Sequence, residues 1–180
     1  MENLKAYDKM VSLSLQILVT SSSQLPEIAA MQTIFDTTTV AALSTRIEQL
    51  TTASTRQWGK MTPYQMVTHC IKGDQMLLRD VQYKRLFAGR IFGRMALKSL
   101  TKDDAPLSPN EPTHPDLKIK GDGDLEAAKR EWLSLVQRYA DASDDTFAGF
   151  IHPFFGPMTT EQIGQVAYKH IDHHLRQFGV

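Results

Sequence analysis

The chain signals the start of a helix twice with the same device. Thr62-Pro63-Tyr64-Gln65 and Thr159-Thr160-Glu161-Gln162 each place a hydroxyl at the N-cap and a Gln at the third helical position, so that the two side chains can satisfy backbone N–H groups reciprocally. Pro63 stands at the first helical position, where its missing N–H costs nothing. Beyond each start, apolar residues return at helical spacing: Met66, Cys70, Leu77 and Val81 after the first, and Ile163, Ala167, Ile171 and Phe178 after the second. A chain punctuated in this way is committed to helices that bury one face.

Two more segments carry the same period. Val40, Leu43, Ile47 and Leu50 follow a capping residue at Asp36; Leu125, Ala128, Trp132, Leu135, Val136 and Tyr139 follow Asp122 or Asp124. The link over residues 53–61 is short, so the first two helices should be antiparallel. Before the third lie about forty residues, with an amphipathic piece from Tyr83 to Leu100 and a loop holding Pro106, Pro109, Pro112 and Pro115. A connection of that length can cross the bundle and let helices two and three run parallel. The expected fold is all-α, a four-helix bundle with a long crossover between helices two and three.

Composition narrows the chemistry. The 20 Lys plus Arg balance 20 Asp plus Glu, which leaves no surplus for bulk attraction to nucleic acid. Cys70 is the single Cys, so an internal disulfide and a four-Cys zinc site are excluded, and any metal must be held by His and carboxylates. The most apolar run, Val11 to Val19, is broken by Ser12, Ser14 and Gln16, short of the ~18 residues of a membrane span. Residues 1–30 read as an N-terminal extension, with a weak secretory signal or a start at Met31 as its explanations; residues 31–180 are the expected working domain.

The histidines cluster late in the chain. At about 100° per residue, His170 and His174 fall near the centre of the last helix's apolar face. That i, i+4 spacing lets two imidazoles bind one ion. His69 lies at the edge of the stripe on the second helix, with Gly73 one turn later to leave room for a bound ion or ligand. If the two helices are neighbours, His69, His170 and His174 supply three neutral nitrogens and leave a fourth position open, as catalytic metal sites do. A single inward His is also accounted for as a core residue with a hydrogen-bond partner; a pair on an apolar face is costly to bury without one.

Other residues have readings of their own. His173, about 80° from Ile163, is a candidate catalytic group, a supporting group, a substitute ligand or exposed. His152, ahead of Pro153-Phe154-Phe155, is a second catalytic candidate on a lip over the site, or part of an apolar plug. His114 reads as a solvated loop residue, and Cys70 as a small core residue rather than a redox partner. Between Tyr83 and Lys102 lie Lys84, Arg85, Arg90, Arg94, Lys98 and Lys102 and no acidic residue. That segment is expected to pack its apolar side on the bundle with its basic side solvated; contact with a membrane or an anionic ligand is the alternative.

Arg56-Gln57-Trp58-Gly59-Lys60-Met61-Thr62 leading into Gln65 to Cys70, and His152-Pro153-Phe154-Phe155-Gly156-Pro157 leading into Tyr168 to Gly179 with its Lys169-His170-Ile171-Asp172-His173-His174 core, resemble a branch of the DinB-like superfamily. The resemblance runs from about Thr33 to the C-terminus and includes, more weakly, Pro112-Thr113-His114-Pro115. It implies up-down-down-up connectivity and a divalent metal on one His of the second helix and two of the fourth, which are His69, His170 and His174 here. Its better-understood members look like enzymes that use a small thiol such as mycothiol or bacillithiol in transfer or isomerisation. The expectation is a cytoplasmic Zn2+- or Ni2+-dependent enzyme acting on a small molecule, with thiol transfer leading and hydrolysis second. A homodimer is the candidate assembly, and a noncatalytic metal- or ligand-binding bundle, a sensor or scaffold, is the rival.

Overall fold

The computed structural model describes residues 31–180. The expected extension over residues 1–30 lies outside the described residues. Among those described there are six α-helices: α1 (Thr37–Glu48), α2 (Pro63–Leu77), α3 (Phe87–Leu100), α4 (Leu125–Arg138), the four-residue α5 (Asp144–Phe147) and α6 (Thr160–Gln177). A 3-10 turn at Pro115–Leu117 and a small antiparallel hairpin, β1 (Ile151–His152) with β2 (Gly156–Pro157), complete the secondary structure. The fold is all-α in class, and no described helix is long and apolar enough to cross a membrane.

Both capping boxes close. Thr62 Oγ1 accepts from the Gln65 N–H at 3.2 Å while Gln65 Oε1 accepts from the Thr62 N–H at 3.1 Å, and Thr159 and Gln162 do the same at 3.2 and 3.1 Å. Asp124 caps α4 through the Ala127 N–H, whereas Asp122 accepts from the Thr62 hydroxyl. Asp36 precedes α1 without capping its backbone; its carboxylate takes the Thr38 and Thr39 hydroxyls instead. Those bonds hold its pKa below the usual carboxylate value. Gly179, at φ 72°, ends α6 in the left-handed conformation that Gly adopts at no steric cost.

The apolar stripes meet in one core. Val40, Leu43, Ile47, Met66, Cys70, Leu77, Trp132, Val136, Tyr139, Ile163 and Ile171 are all buried, each large side chain contributing about 1.5–3 kcal/mol by leaving water. Val81 does not join them. The chain leaves α2 after Leu77 and turns through Arg79 at φ 69°, so Val81 ends 37% exposed.

Polar pairs fix the helix directions. Thr62 meets Asp122 and Asp74 meets Trp132, so α2 and α4 point the same way. Ile34 N donates to Gly164 O and Arg46 pairs with Asp172, so α1 and α6 are also parallel to each other. Lys129 Nζ donates to the carbonyls of Glu48 and Leu50 at the end of α1, while Phe35 at its start packs on Tyr139, so α1 opposes α4. Gln57 N donates to Gln177 O, bringing the approach to α2 against the end of α6. The site helices α2 and α6 are therefore antiparallel neighbours.

The crossover helix α3 departs from expectation. Its inner face carries Gly89, Gly93 and Leu97, and a Cβ on either Gly would collide with the Phe154 carbonyl oxygen. Phe87, Ile91, Phe92 and Met95, expected against the bundle, are 78, 59, 52 and 68% exposed. Close approach of α3 to the Phe154–Phe155 backbone demands small residues inside and turns the large apolar ones outward. The buried Lys169 ties the far end of α3 to α6 by donating to the carbonyls of Leu100, Asp103 and Ala105.

Candidate metal centre

His69 projects from the middle of α2, and His170 and His174 project one turn apart from α6. The three side chains offer nitrogen atoms that all lie within 4.8 Å of one another. Their ring centroids are 5.1, 4.7 and 4.8 Å apart, and Nε2 of His69 lies 3.1 Å from Nε2 of His170. Gly73 makes the approach possible: a Cβ there would sit 2.9 Å from Cε1 of His170. The space that the missing side chain leaves is filled by the His170 ring rather than held open for a ligand.

Neighbouring carbonyls set the tautomers of two rings. His69 Nδ1–H donates to the Leu117 carbonyl at 3.0 Å, and His174 Nδ1–H donates to Gln177 Oε1 at 2.9 Å. Each leaves Nε2 as the nitrogen with a free lone pair. Gln177 is itself held, its Nε2 donating to the Trp58 carbonyl at 2.9 Å. Burial pushes the pKa of all three rings down, that of His174 to about 3, with the neighbouring histidines adding to the effect at His170 and His174. They are therefore neutral at neutral pH, which is the form that ligates a metal.

The donor set fits a divalent ion. Tetrahedral coordination at about 2.1 Å from each nitrogen separates ligands by about 3.4 Å. The His69–His170 pair, at 3.1 Å, is close to that span already. Two neutral imidazoles with Nε2 lone pairs, each oriented through its other nitrogen, are what an imidazole metal site requires.

The remaining histidines stand outside this triad. His173 is buried, its ring 5.0 Å from that of His174 and 5.4 Å from Trp58, and burial lowers its pKa. It packs between the His174 ring and Trp58 and is not exposed. His152 Nδ1 accepts from the N–H groups of Phe154 and Phe155, both at 3.1 Å, and its ring stacks on Phe155 at 4.5 Å. Burial lowers its pKa to about 3, and a proton on it would oppose one on His170. His152 thus organises the loop that lies near the triad. His114 is not the solvated residue expected: its side chain is 8% exposed, packs on Tyr83 and contacts the Lys84 carbonyl at 3.2 Å through Nε2. Cys70 is buried with its pKa raised well above normal by burial, which fits a core thiol and not a nucleophile.

Two supports had no place in the reading of the sequence. Leu117 acts through its backbone carbonyl, for which no side-chain pattern exists. Gln177 stands three residues after His174 on the same helix face, and that spacing was the available signal. Trp58, whose carbonyl holds Gln177, also has a buried Nε1–H with no partner among the described residues.

A helical bundle that brings three neutral imidazoles together from two antiparallel helices defines a candidate metal-binding bundle. The sequence profile of the DinB superfamily matches residues 34–178, and the chain belongs to that superfamily. No curated protein and no solved structure gives a significant match to it.

Proposed function

We propose that the protein is a divalent-metal-dependent enzyme whose metal, Zn2+ or Ni2+, is held by His69, His170 and His174. The observation that carries this reading is the convergence of three neutral ring nitrogens, two of them with tautomers set by Leu117 and Gln177. A divalent ion supplies Lewis acidity, which keeps a thiol or a water deprotonated near neutral pH beside an electrophile. Thiol-dependent transfer is the leading reaction, with hydrolysis as the alternative for the same site.

The chain's own residues hold and shelter the chemistry. His69, His170 and His174 bind, while Leu117 and Gln177 orient. Three His ligands leave the ion's positive charge intact, so an anionic nucleophile is favoured over a neutral one. Trp58 and His173 line one side, and the loop of His152, Phe154 and Phe155 lies toward another. His173 and His152 are the candidates for moving a proton to or from substrate. The proposed setting is cytoplasmic, with a small molecule as substrate.

The test pairs metal-loaded protein with a panel of low-molecular-weight thiols and electrophiles, and with esters and amides in a parallel arm. Thiol consumption that requires the metal and disappears in His174→Ala supports transferase chemistry. Turnover of the esters or amides alone assigns a hydrolase. No turnover in either arm contradicts the enzyme reading and leaves a binding bundle.

A further inference from the structure

Helix α3 presents an outward apolar stripe bordered by a row of cations. Taking about 100° per residue, Phe87, Ile91 and Met95 fall along one line with Phe92 beside it, and Arg90, Arg94 and Lys98 run at i, i+4 and i+8 along the adjoining flank. All seven side chains are exposed. Among the described residues, Arg90, Arg94 and Lys98 have no carboxylate within ion-pair distance, and no acidic residue lies between Tyr83 and Lys102. The opposite face is fixed by Gly89 and Gly93 against Phe154, so α3 cannot roll its apolar side inward without losing that contact.

From this arrangement we infer that α3 is an interfacial helix that docks the protein on an anionic lipid surface. An apolar stripe beside a basic row is the arrangement that enters the headgroup boundary of a bilayer, the apolar residues inserting and the cations remaining at the phosphates. Charge decides between occupants. Arg94 donates to the Pro157 carbonyl at 3.2 Å, which leaves its charge without a carboxylate. A second copy meeting this face about a two-fold axis would therefore bring two un-neutralised basic rows together, and like charges at an interface disfavour it. A free phosphate would use the cations and leave Phe87, Ile91 and Met95 in water. A negatively charged membrane satisfies both halves of the face, and α3 rests on the loop of His152, Phe154 and Phe155, so docking would hold that loop close to the lipid.

The experiment is co-sedimentation of the full chain with vesicles of phosphatidylcholine alone and of phosphatidylcholine with phosphatidylserine. Binding to the serine-containing vesicles that falls with added salt is expected. It should weaken about 100-fold when Arg90, Arg94 and Lys98 are all changed to Gln, at about fivefold per cation, and should be lost in Ile91→Ser/Met95→Ser. These positions are exposed, and an unchanged circular dichroism spectrum and melting temperature verify that the variants fold. Equal binding to both vesicle types, or none to either, overturns the inference. So does a stable dimer in solution that Ile91→Ser/Met95→Ser dissolves, which would give the face to a second copy.

Discussion

Nε2 of His69 lies 3.1 Å from Nε2 of His170, and Gly73, one turn along α2 from His69, is what lets the His170 ring reach that position. A methyl group at residue 73 would stand 2.9 Å from Cε1 of that ring, closer than side chains tolerate. Gly73→Ala is therefore expected to displace His170 and weaken metal affinity by at least tenfold, although Ala favours a helix interior by about 1 kcal/mol. Competition with a metal-sensitive dye measures the affinity; unchanged affinity would show that the ring relaxes without consequence.

Gln177 supports the site without entering it. Its carbonyl takes the His174 Nδ1 proton and its amide holds the Trp58 carbonyl. Gln177→Leu preserves bulk and removes both bonds, so metal affinity should fall about 10–100-fold while Gln177→Glu, which still accepts from His174, loses less. Titration calorimetry on the two variants checks the order.

Asp74 is fully buried between α2 and α4, accepting from Trp132 Nε1 at 2.8 Å and Tyr139 Oη at 2.9 Å. Burial raises its pKa to about 7 against the pull of those two donors. Asp74→Ala leaves both donors unpaired, at about 1–3 kcal/mol each. Asp74→Asn, whose amide oxygen still accepts one bond, should be milder. Urea unfolding of both variants reads the difference.

The metal-free protein should lose stability in acid. His152 and His174 each have a pKa of about 3 when folded against 6.5 when unfolded, so between those values the unfolded chain binds more protons. Their contribution is complete above pH 6.5 and is lost as the pH falls toward 3, at about 1.4 kcal/mol per pH unit for each group. His69, His170 and His173 shift in the same direction. Asp74 opposes them, since a carboxyl raised to about 7 from 3.8 stabilises the folded state below 3.8 and loses that contribution as the pH rises through 7. Five imidazoles outweigh one carboxyl. The urea midpoint should fall between pH 7 and pH 4, and a flat or rising midpoint would contradict the burial of these rings as neutral groups.

The helices could be read from the sequence because their signals are local. A Thr-x-x-Gln box and a 3.6-residue period act within a few turns, and both boxes close as written at Thr62 and Thr159. The pairing of His170 with His174 was legible for the same reason. What the sequence concealed depends on distant parts of the chain. The Leu117 carbonyl reaches His69 from the crossover, and nothing in the sequence of a 3-10 turn marks a carbonyl as a partner. Periodicity showed that α3 has two faces without showing which one turns inward. Gly89 and Gly93 decide that, because the Phe154 backbone comes too close for any side chain. A Pro-flanked loop position such as His114 reads as solvated until Tyr83 is placed against it.

The metal content of the protein tests the central claim most directly. Protein purified without a His tag from metal-replete medium, passed through a desalting column and measured by elemental analysis, should carry close to one divalent ion per chain. His170→Ala should carry almost none while keeping its helical circular dichroism spectrum. Absence of bound metal in the unaltered protein, or an equal amount in His170→Ala, would contradict the assignment of His69, His170 and His174 as a metal centre.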